Sequence, residues 1–180
     1  MRNTRWLAAV LMFGMGIPAA RGSALVTKGS NELVLEGKLD FATEMGADFD
    51  LRAKYAYFFM DRFSMGFRTM AGDNDAVGYF GLGLTAEYNF ALPQNYKPII
   101  GTDMVPFLGA FVDYRHADLF DVKEDAVVFG GEAGLKFFLT DSTAITLALV
   151  GELATEDIYA DDLEATDKDL SLQLGMRFYF

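Results

Sequence analysis

Charged side chains recur at every second position along much of this sequence, a spacing that could build a network of ion pairs. Glu36, Lys38 and Asp40 form one such series, and the alternation returns at residues 50–54. In an extended strand, residues two apart share one face because successive side chains point to opposite sides. Charges confined on such a face must pair, since an unpaired buried charge is costly. The spacing therefore predicts paired charges.

Other patterns that could do chemistry are weaker. Residues 81–86 read G-x-G-x-x-A, a fragment of a dinucleotide-binding motif, but the pattern around them is that of a strand with no helix after it. His116 is the only histidine, and we expect it to be solvated. The chain has no cysteine, which excludes a disulfide framework and a thiol nucleophile. No cofactor and no defined metal site are predicted.

Two acidic segments, predicted as loops, could attract cations. Residues 156–168 carry six carboxylates against one base, and residues 117–125 add Asp118, Asp121, Glu124 and Asp125. Calcium takes such oxygen ligands. The spacing matches no defined calcium loop, so we expect a weaker attraction of divalent cations.

Composition limits the class of protein. The 180 residues are 52% apolar, yet no run approaches the roughly 18 apolar residues of a membrane-spanning helix. The formal net charge of −11 excludes a nucleic-acid binder that relies on its overall field.

The first 24 residues have the layout of a secretory signal peptide. Arg2 and Arg5 precede an apolar run over residues 6–17, and small residues follow up to Ala24. We expect cleavage after Ala24, with Ala20 as the second choice of site, which leaves residues 25–180 as a single barrel domain. A buried N-terminal helix is the alternative. Loss of three arginines would change the charge from −11 to −14.

Eight segments alternate between mainly apolar residues and mainly charged, polar or glycine residues. They are 31–43, 47–59, 63–71, 77–90, 105–115, 126–139, 144–155 and 169–180. They exceed the about 5 or 6 residues typical of soluble strands and match the ~9 to 11 that cross a bilayer. An even number of strands lets closure pair every backbone group, as lipid requires. The sequence therefore predicts an all-β fold, an eight-stranded antiparallel up-and-down transmembrane β-barrel.

The composition of the two strand faces indicates which face lines the lumen of the barrel and which faces lipid. One face is almost wholly apolar and suits lipid, so the charged face must line the lumen. An eight-stranded barrel is just wide enough to be filled by side chains, which predicts a salt-bridged plug rather than an open pore. The predicted lumen charge network is Glu36, Lys38, Asp40, Asp50, Arg52, Lys54, Arg68, Glu87, Asp113, Arg115, Glu132, Lys136, Glu152 and Arg177.

The last segment ends in a pattern of polar, glycine and aromatic residues at Gln173, Gly175, Phe178 and Phe180. This pattern resembles the signal that outer-membrane β-barrel proteins present to the barrel-assembly machinery. The whole chain resembles the small outer-membrane barrels of the OmpA and OmpX type. The resemblance implies export to the cell outer membrane of a Gram-negative envelope, contact with lipids including lipopolysaccharide, and a monomer.

Several functions remain open. The first is a non-enzymatic structural or surface-interaction role; the second is a channel or carrier resembling the OmpW type. Residues that would line its path are Phe58, Tyr79 and Phe111. Small barrels also include lipid-modifying enzymes, but the lipid A deacylase type places Ser two residues after its His, where this chain has Asp118. An adhesin would use the apolar loop residues Leu119, Phe120, Ile158 and Tyr159.

Overall fold

The computed structural model describes residues 26–38, 49–73, 77–91, 103–119, 122–161 and 164–180. The ten strands are β1 (Asn31–Lys38), β2 (Phe49–Met60), β3 (Phe63–Asp73), β4 (Val77–Asn89), β5 (Asp103–Leu119), β6 (Val122–Thr140), β7 (Thr143–Ala154), β8 (Tyr159–Asp161), β9 (Glu164–Thr166) and β10 (Lys168–Tyr179). Within these ranges, no helix is long and apolar enough to cross a membrane.

Eight of the strands close into a barrel in the order β1-β10-β7-β6-β5-β4-β3-β2. Every neighbouring pair is antiparallel, and β1 pairs with β10 to complete the wall. The predicted fold class, an eight-stranded antiparallel up-and-down barrel, is confirmed. Strands β8 and β9 form a separate small hairpin between β7 and β10.

The strands are staggered around the wall. Tyr179 on β10 pairs with Glu32 on β1. Following the directly paired residues from Glu32 through each strand in turn, once around the barrel, leads back to β10 at Asp169, ten positions from Tyr179. Such a stagger tilts the strands and sets the width of the barrel. Residues at one height in the lumen therefore come from positions that are not directly paired, which sequence periodicity alone does not reveal.

Alternation separates the two faces as predicted. On β7, Thr146, Ala148, Val150 and Glu152 are buried in the lumen, whereas Leu147, Leu149 and Leu153 are exposed on the outside. The same division holds on the other long strands, where the outward face is a belt of large apolar side chains. This belt is the surface that a bilayer would cover.

The prediction of a loop at residues 117–125 was wrong. Strand β5 continues through Leu119, and β6 begins at Val122, so these are the longest strands, with 17 and 19 residues. The acidic composition suggested a loop, but Ala117 and Ala126 keep the alternation and are buried on the inner side. Asp118, Glu124 and Asp125 therefore lie in paired strands and not in a loop.

The predicted loop at residues 156–168 also needs correction, because it contains β8 and β9, and β10 begins at Lys168. The short turns at residues 61–62 and 141–142 lie in the gaps 60–62 and 140–143 that the predicted segments leave, at the end called here the base. The hairpin of β8 and β9 lies at the opposite end of the barrel, which we call the mouth. The predicted signal peptide, Asp40 and residues 92–102, which join the fourth and fifth predicted segments, lie outside the described residues.

Candidate functional site

The centre of the lumen is built around the carboxylate of Glu87 on β4. Its Oε2 accepts hydrogen bonds from Arg177 Nη1 at 2.6 Å and from Lys54 Nζ at 3.2 Å, and its Oε1 accepts one from Lys136 Nζ at 2.5 Å. Three cations from three other strands thus share one anion. All four side chains are almost fully buried.

Further carboxylates neutralise these cations. Glu32 Oε1 accepts from Lys136 Nζ at 3.0 Å, from Arg177 Nη1 at 2.9 Å and from the Tyr179 hydroxyl at 2.6 Å. Two other acids complete the group, since Glu132 pairs with Lys54 at 2.9 Å and Glu36 with Arg177 at 3.4 Å. We call the seven charged residues the central layer: Glu32, Glu36, Lys54, Glu87, Glu132, Lys136 and Arg177.

Glu32 was missing from the predicted network. Its signal in the sequence is its position four residues before Glu36, which puts both side chains on the same face of β1. Its partners come from β6 and β10, on the far side of the closure between β1 and β10. Only the closed barrel brings them within reach.

A second group of charges lies nearer the mouth. Arg115 holds Glu152 with two hydrogen bonds of 2.8 Å, Nη1 to Oε2 and Nη2 to Oε1, and also binds Asp113 at 2.9 Å. Arg52 binds the same Glu152 at 2.8 Å and Asp50 at 3.1 Å. Two-point contacts between a guanidinium and a carboxylate are strong and directional. We call the six charged residues the upper layer: Asp50, Arg52, Arg68, Asp113, Arg115 and Glu152.

Aromatic side chains fill the space between the charges. The Arg68 guanidinium lies 3.7 Å from the centroid of the Phe111 ring and 3.4 Å from Asp113. The Phe107 ring faces Arg177 at 4.5 Å and Lys136 at 5.3 Å. Phe111 and Phe107 are therefore inward-facing partners for cations, and such contacts stabilise desolvated charge.

Glycines make room for the buried acids. A Cβ at Gly83 would lie 2.9 Å from Asp113 Cγ, and one at Gly109 would lie 2.5 Å from Glu132 Oε1. A Cβ at Gly175 would lie 2.5 Å from Glu36 Cγ. A side chain at these positions would displace the carboxylates from their cations.

The base of the lumen is apolar. The buried residues there form a base cluster of Val26, Phe58, Val105, Phe138, Ala144 and Tyr179. The segment before β1 lies across this end. Its backbone is fixed by hydrogen bonds of 2.9 Å from Gly29 N to Phe58 O and from Arg62 N to Val26 O.

The mouth is covered by a cap hairpin, which we define as β8, β9 and the preceding Ile158. Ile158 is 4% exposed and belongs to an apolar cluster that includes Phe111, Val128 and Val150 from the inner wall. The Tyr159 hydroxyl lies 2.9 Å from both Arg115 Nη1 and Glu152 Oε2. Ile158 and Tyr159 therefore face the lumen, which removes them from the residues predicted for an adhesin.

Outside the apolar belt, the β5–β6 hairpin carries an exposed polar group. His116 Nδ1 lies 2.7 Å from Asp125 Oδ1, and both side chains are more than half exposed. Hydrogen bonds from His116 and Tyr114 lower the pKa of Asp125. In the described part of the chain, no group of three or more acidic or histidine side chains is arranged to hold a metal ion.

The structure places the remaining predicted residues as follows. Gln173 and Gly175 of the assembly-signal pattern face the lumen and are buried, whereas Phe180 is exposed at the base and Phe178 is half-buried. Of the predicted network, Asp40 and the side chain of Lys38 lie outside the described residues. The other twelve residues lie in the central or upper layer.

Comparison with known proteins shows which solved structures have a similar fold. No family model and no curated protein matches the sequence. Among solved structures, the N-terminal β-barrel domain of Pseudomonas aeruginosa OprF matches with a TM-score of 0.60 and 20% identity, over 85% of this chain and 98% of that one. Neisserial surface protein A matches with a TM-score of 0.55 and 15% identity, over 84% and 95%. This chain has the fold of small outer-membrane barrels, as its sequence predicted.

Proposed function

We propose that the protein is a non-enzymatic outer-membrane barrel with a sealed lumen and a structural or surface-interaction role. The belt of exposed apolar side chains supports placement in a membrane, since a soluble barrel would present such a surface to water. The fold shared with outer-membrane barrels supports the outer membrane as the location. Residues 1–24 would direct export and be removed from the mature protein.

The observation that carries the proposal is the central layer. Lys54 on β2 reaches Glu132 on β6, and Arg177 on β10 reaches Glu87 on β4, so side chains cross the full width of the barrel. A solute or hydrated ion that passed through would have to separate buried ion pairs, which is strongly unfavourable. The base cluster and the cap hairpin close the two ends beyond this layer.

A channel or carrier is the opposing proposal. Of the residues assigned to its path, Phe58 belongs to the base cluster, and Phe111 packs under Arg68. Both therefore contribute to closure in this structure. A channel or carrier would require the ion pairs of the central and upper layers to separate. The conductance measurement described below tests this.

The proposed partners follow from the surface. Lipids including lipopolysaccharide would surround the apolar belt, and residues 173–180 would be read by the barrel-assembly machinery. Divalent cations would gather weakly at the acidic residues of the mouth, where exposed Glu156 and Asp157 lie. We propose a monomer, because closure of the wall pairs its strands internally.

The test uses the mature protein refolded into lipid. We expect a folded band whose gel mobility shifts on boiling, and no discrete conductance steps in a planar bilayer of the same lipid. A pore-forming peptide added at the end of each recording checks that the bilayer reports channels. Reproducible steps from the folded protein would refute the sealed lumen and favour transport.

The enzymatic alternative has its own test. If His116 acted on outer-membrane lipid, His116→Ala would abolish hydrolysis or acyl transfer. We expect no such activity above background in either the parent protein or the variant. Activity that disappears with the substitution would overturn the non-enzymatic proposal.

A further inference from the structure

The cap hairpin is attached to the barrel in two distinct ways. Its ends are fixed to the wall by backbone hydrogen bonds from Ala154 N to Asp167 O at 2.7 Å and from Thr155 N to Val127 O at 3.0 Å. Between these points β8 and β9 pair with each other and form their own sheet. The hairpin is therefore a separate unit joined to the wall at its ends.

Two consecutive side chains hold this unit against the lumen. Ile158 packs in the apolar cluster on the inner wall, and the Tyr159 ring lies 5.8 Å from the Arg115 guanidinium carbon. The Tyr159 hydroxyl donates to Glu152 Oε2 and accepts from Arg115 Nη1, both at 2.9 Å. One apolar contact and one phenol thus close the mouth.

The wall and the upper layer do not depend on this closure. The hydrogen bonds of Arg115 to Glu152, Nη1 to Oε2 and Nη2 to Oε1, and its contact with Asp113 through Nη2 are direct and do not pass through the Tyr159 hydroxyl. Strands β7 and β10 pair with each other from Leu153 and Lys168 down to the base. Displacement of the hairpin would leave the barrel folded.

We propose that the cap hairpin is an openable lid over the upper lumen, latched by Tyr159 and Ile158. Open, it exposes a chamber with an apolar wall, which includes Ala117, Val128 and Val150, beside the guanidinium of Arg115. The central layer below stays closed, so opening gives access to a chamber and not to a pore. This inference goes beyond the proposed function, because a sealed barrel needs no lid that opens.

The absence of cysteine from the chain allows a direct test. The reporter is Ala117→Cys, because Ala117 is fully buried in the cluster that contains Ile158. Its labelling by a water-soluble maleimide is followed in the folded mature barrel in lipid. Adding Tyr159→Phe removes both latch hydrogen bonds, and we expect labelling to become roughly tenfold faster. Ile158→Ser should accelerate it as well.

Two controls keep the test specific. Ala144→Cys places the reporter in the base cluster, where the latch substitutions should leave labelling unchanged. Tyr114→Phe removes an exposed phenol from the β5–β6 hairpin and should not affect the Ala117→Cys reporter. Heat-shifted gel mobility checks that each variant is folded.

The outcomes separate clearly. Equal labelling at the Ala117→Cys reporter in the parent and in both latch variants, all folded, would overturn the lid. Acceleration at the Ala144→Cys reporter too would mean general loosening and would also overturn it. Conductance recorded on the same samples tests the sealed lumen separately, since the latch variants should pass no more current than the parent.

Discussion

Arg177 and Glu87 join opposite sides of the barrel. Their strands, β10 and β4, are separated by three strands in either direction around the wall, yet Arg177 Nη1 lies 2.6 Å from Glu87 Oε2. The two residues are 90 positions apart in sequence. This ion pair spans the lumen and ties the stability of the fold to its closure.

Glu87→Gln should be the most damaging neutralisation in the central layer, because it leaves Lys54, Lys136 and Arg177 without their shared anion. Removing one partner of a buried ion pair costs about 3–5 kcal/mol. Urea titration of the barrel in lipid vesicles would measure the free energy of unfolding. Asp157→Asn, at an exposed position, is the control and should change it by less than about 0.5 kcal/mol. Equal effects of the two substitutions would contradict the ion-pair arrangement.

Arg115→Lys should destabilise the barrel although the charge is kept. A lysine has no planar fork and cannot reproduce the two-point contact with Glu152 while also reaching Asp113 and Tyr159. We expect a loss of about 1.5–3 kcal/mol, the contribution of a hydrogen bond to a charged group. The same titration measures it, with Arg62→Lys in the base turn as a control. A fully stable Arg115→Lys variant would refute the role of this geometry.

Phe58→Ala and Phe59→Ala test which side chain fills the lumen. Phe58 is 0% exposed in the base cluster, whereas Phe59 is 52% exposed on the outer belt. Truncation of Phe58 opens an internal cavity and should cost about 3–5 kcal/mol. Truncation of Phe59 leaves a space that lipid can fill, so the loss should be smaller. The reverse order would show that the two faces are misassigned.

Conductance of the Phe58→Ala variant provides a second measurement. The central layer remains intact above the cavity, so the variant should still pass no discrete current. Channel steps that appear only in this variant would mean that the base cluster alone seals the barrel.

Gly130→Ala and Gly131→Ala form a pair of neighbours with opposite expectations. A Cβ at Gly130 would collide with the Phe111 ring, 2.8 Å from Cε1, and push it from Arg68. Overpacking of this kind costs about 1–3 kcal/mol. At Gly131 the nearest atom is Gly109 O at 3.6 Å, so alanine fits and should stabilise the strand by about 0.5–1 kcal/mol. Thermal unfolding followed by gel mobility ranks the two variants, and a tolerated Gly130→Ala would be inconsistent with the observed packing.

Much of the fold could be predicted because alternation is a local property. Residues such as Leu147 and Ala148 reveal opposite faces without any knowledge of their neighbours. The strand ends were less predictable. The acidic residues near Asp125 looked like a loop, yet inward-facing Ala126 continues the strand. The acidic composition there belongs to the outer face of a continuing β-hairpin and does not mark the end of its strands.

The arrangement of the charges needed the closed barrel. The sequence placed Arg177 and Glu87 on inward faces, but their contact depends on the stagger around the whole wall. The same stagger brings Glu32 to Lys136 and Tyr179. The apolar base was also out of reach, because Phe58 and Phe138 interrupt an otherwise polar face for reasons that only their packing with Tyr179 explains.

The ion pair that crosses the lumen also leads us to expect a particular order of folding. Until β10 is in place, Glu32, Glu36 and Glu87 lack the guanidinium of Arg177, so the half-built interior holds an excess of negative charge. Contacts between residues so distant in sequence form slowly. The last strand therefore supplies both the closing backbone bonds and the missing cation, and the barrel should gain its stability in one late, cooperative step.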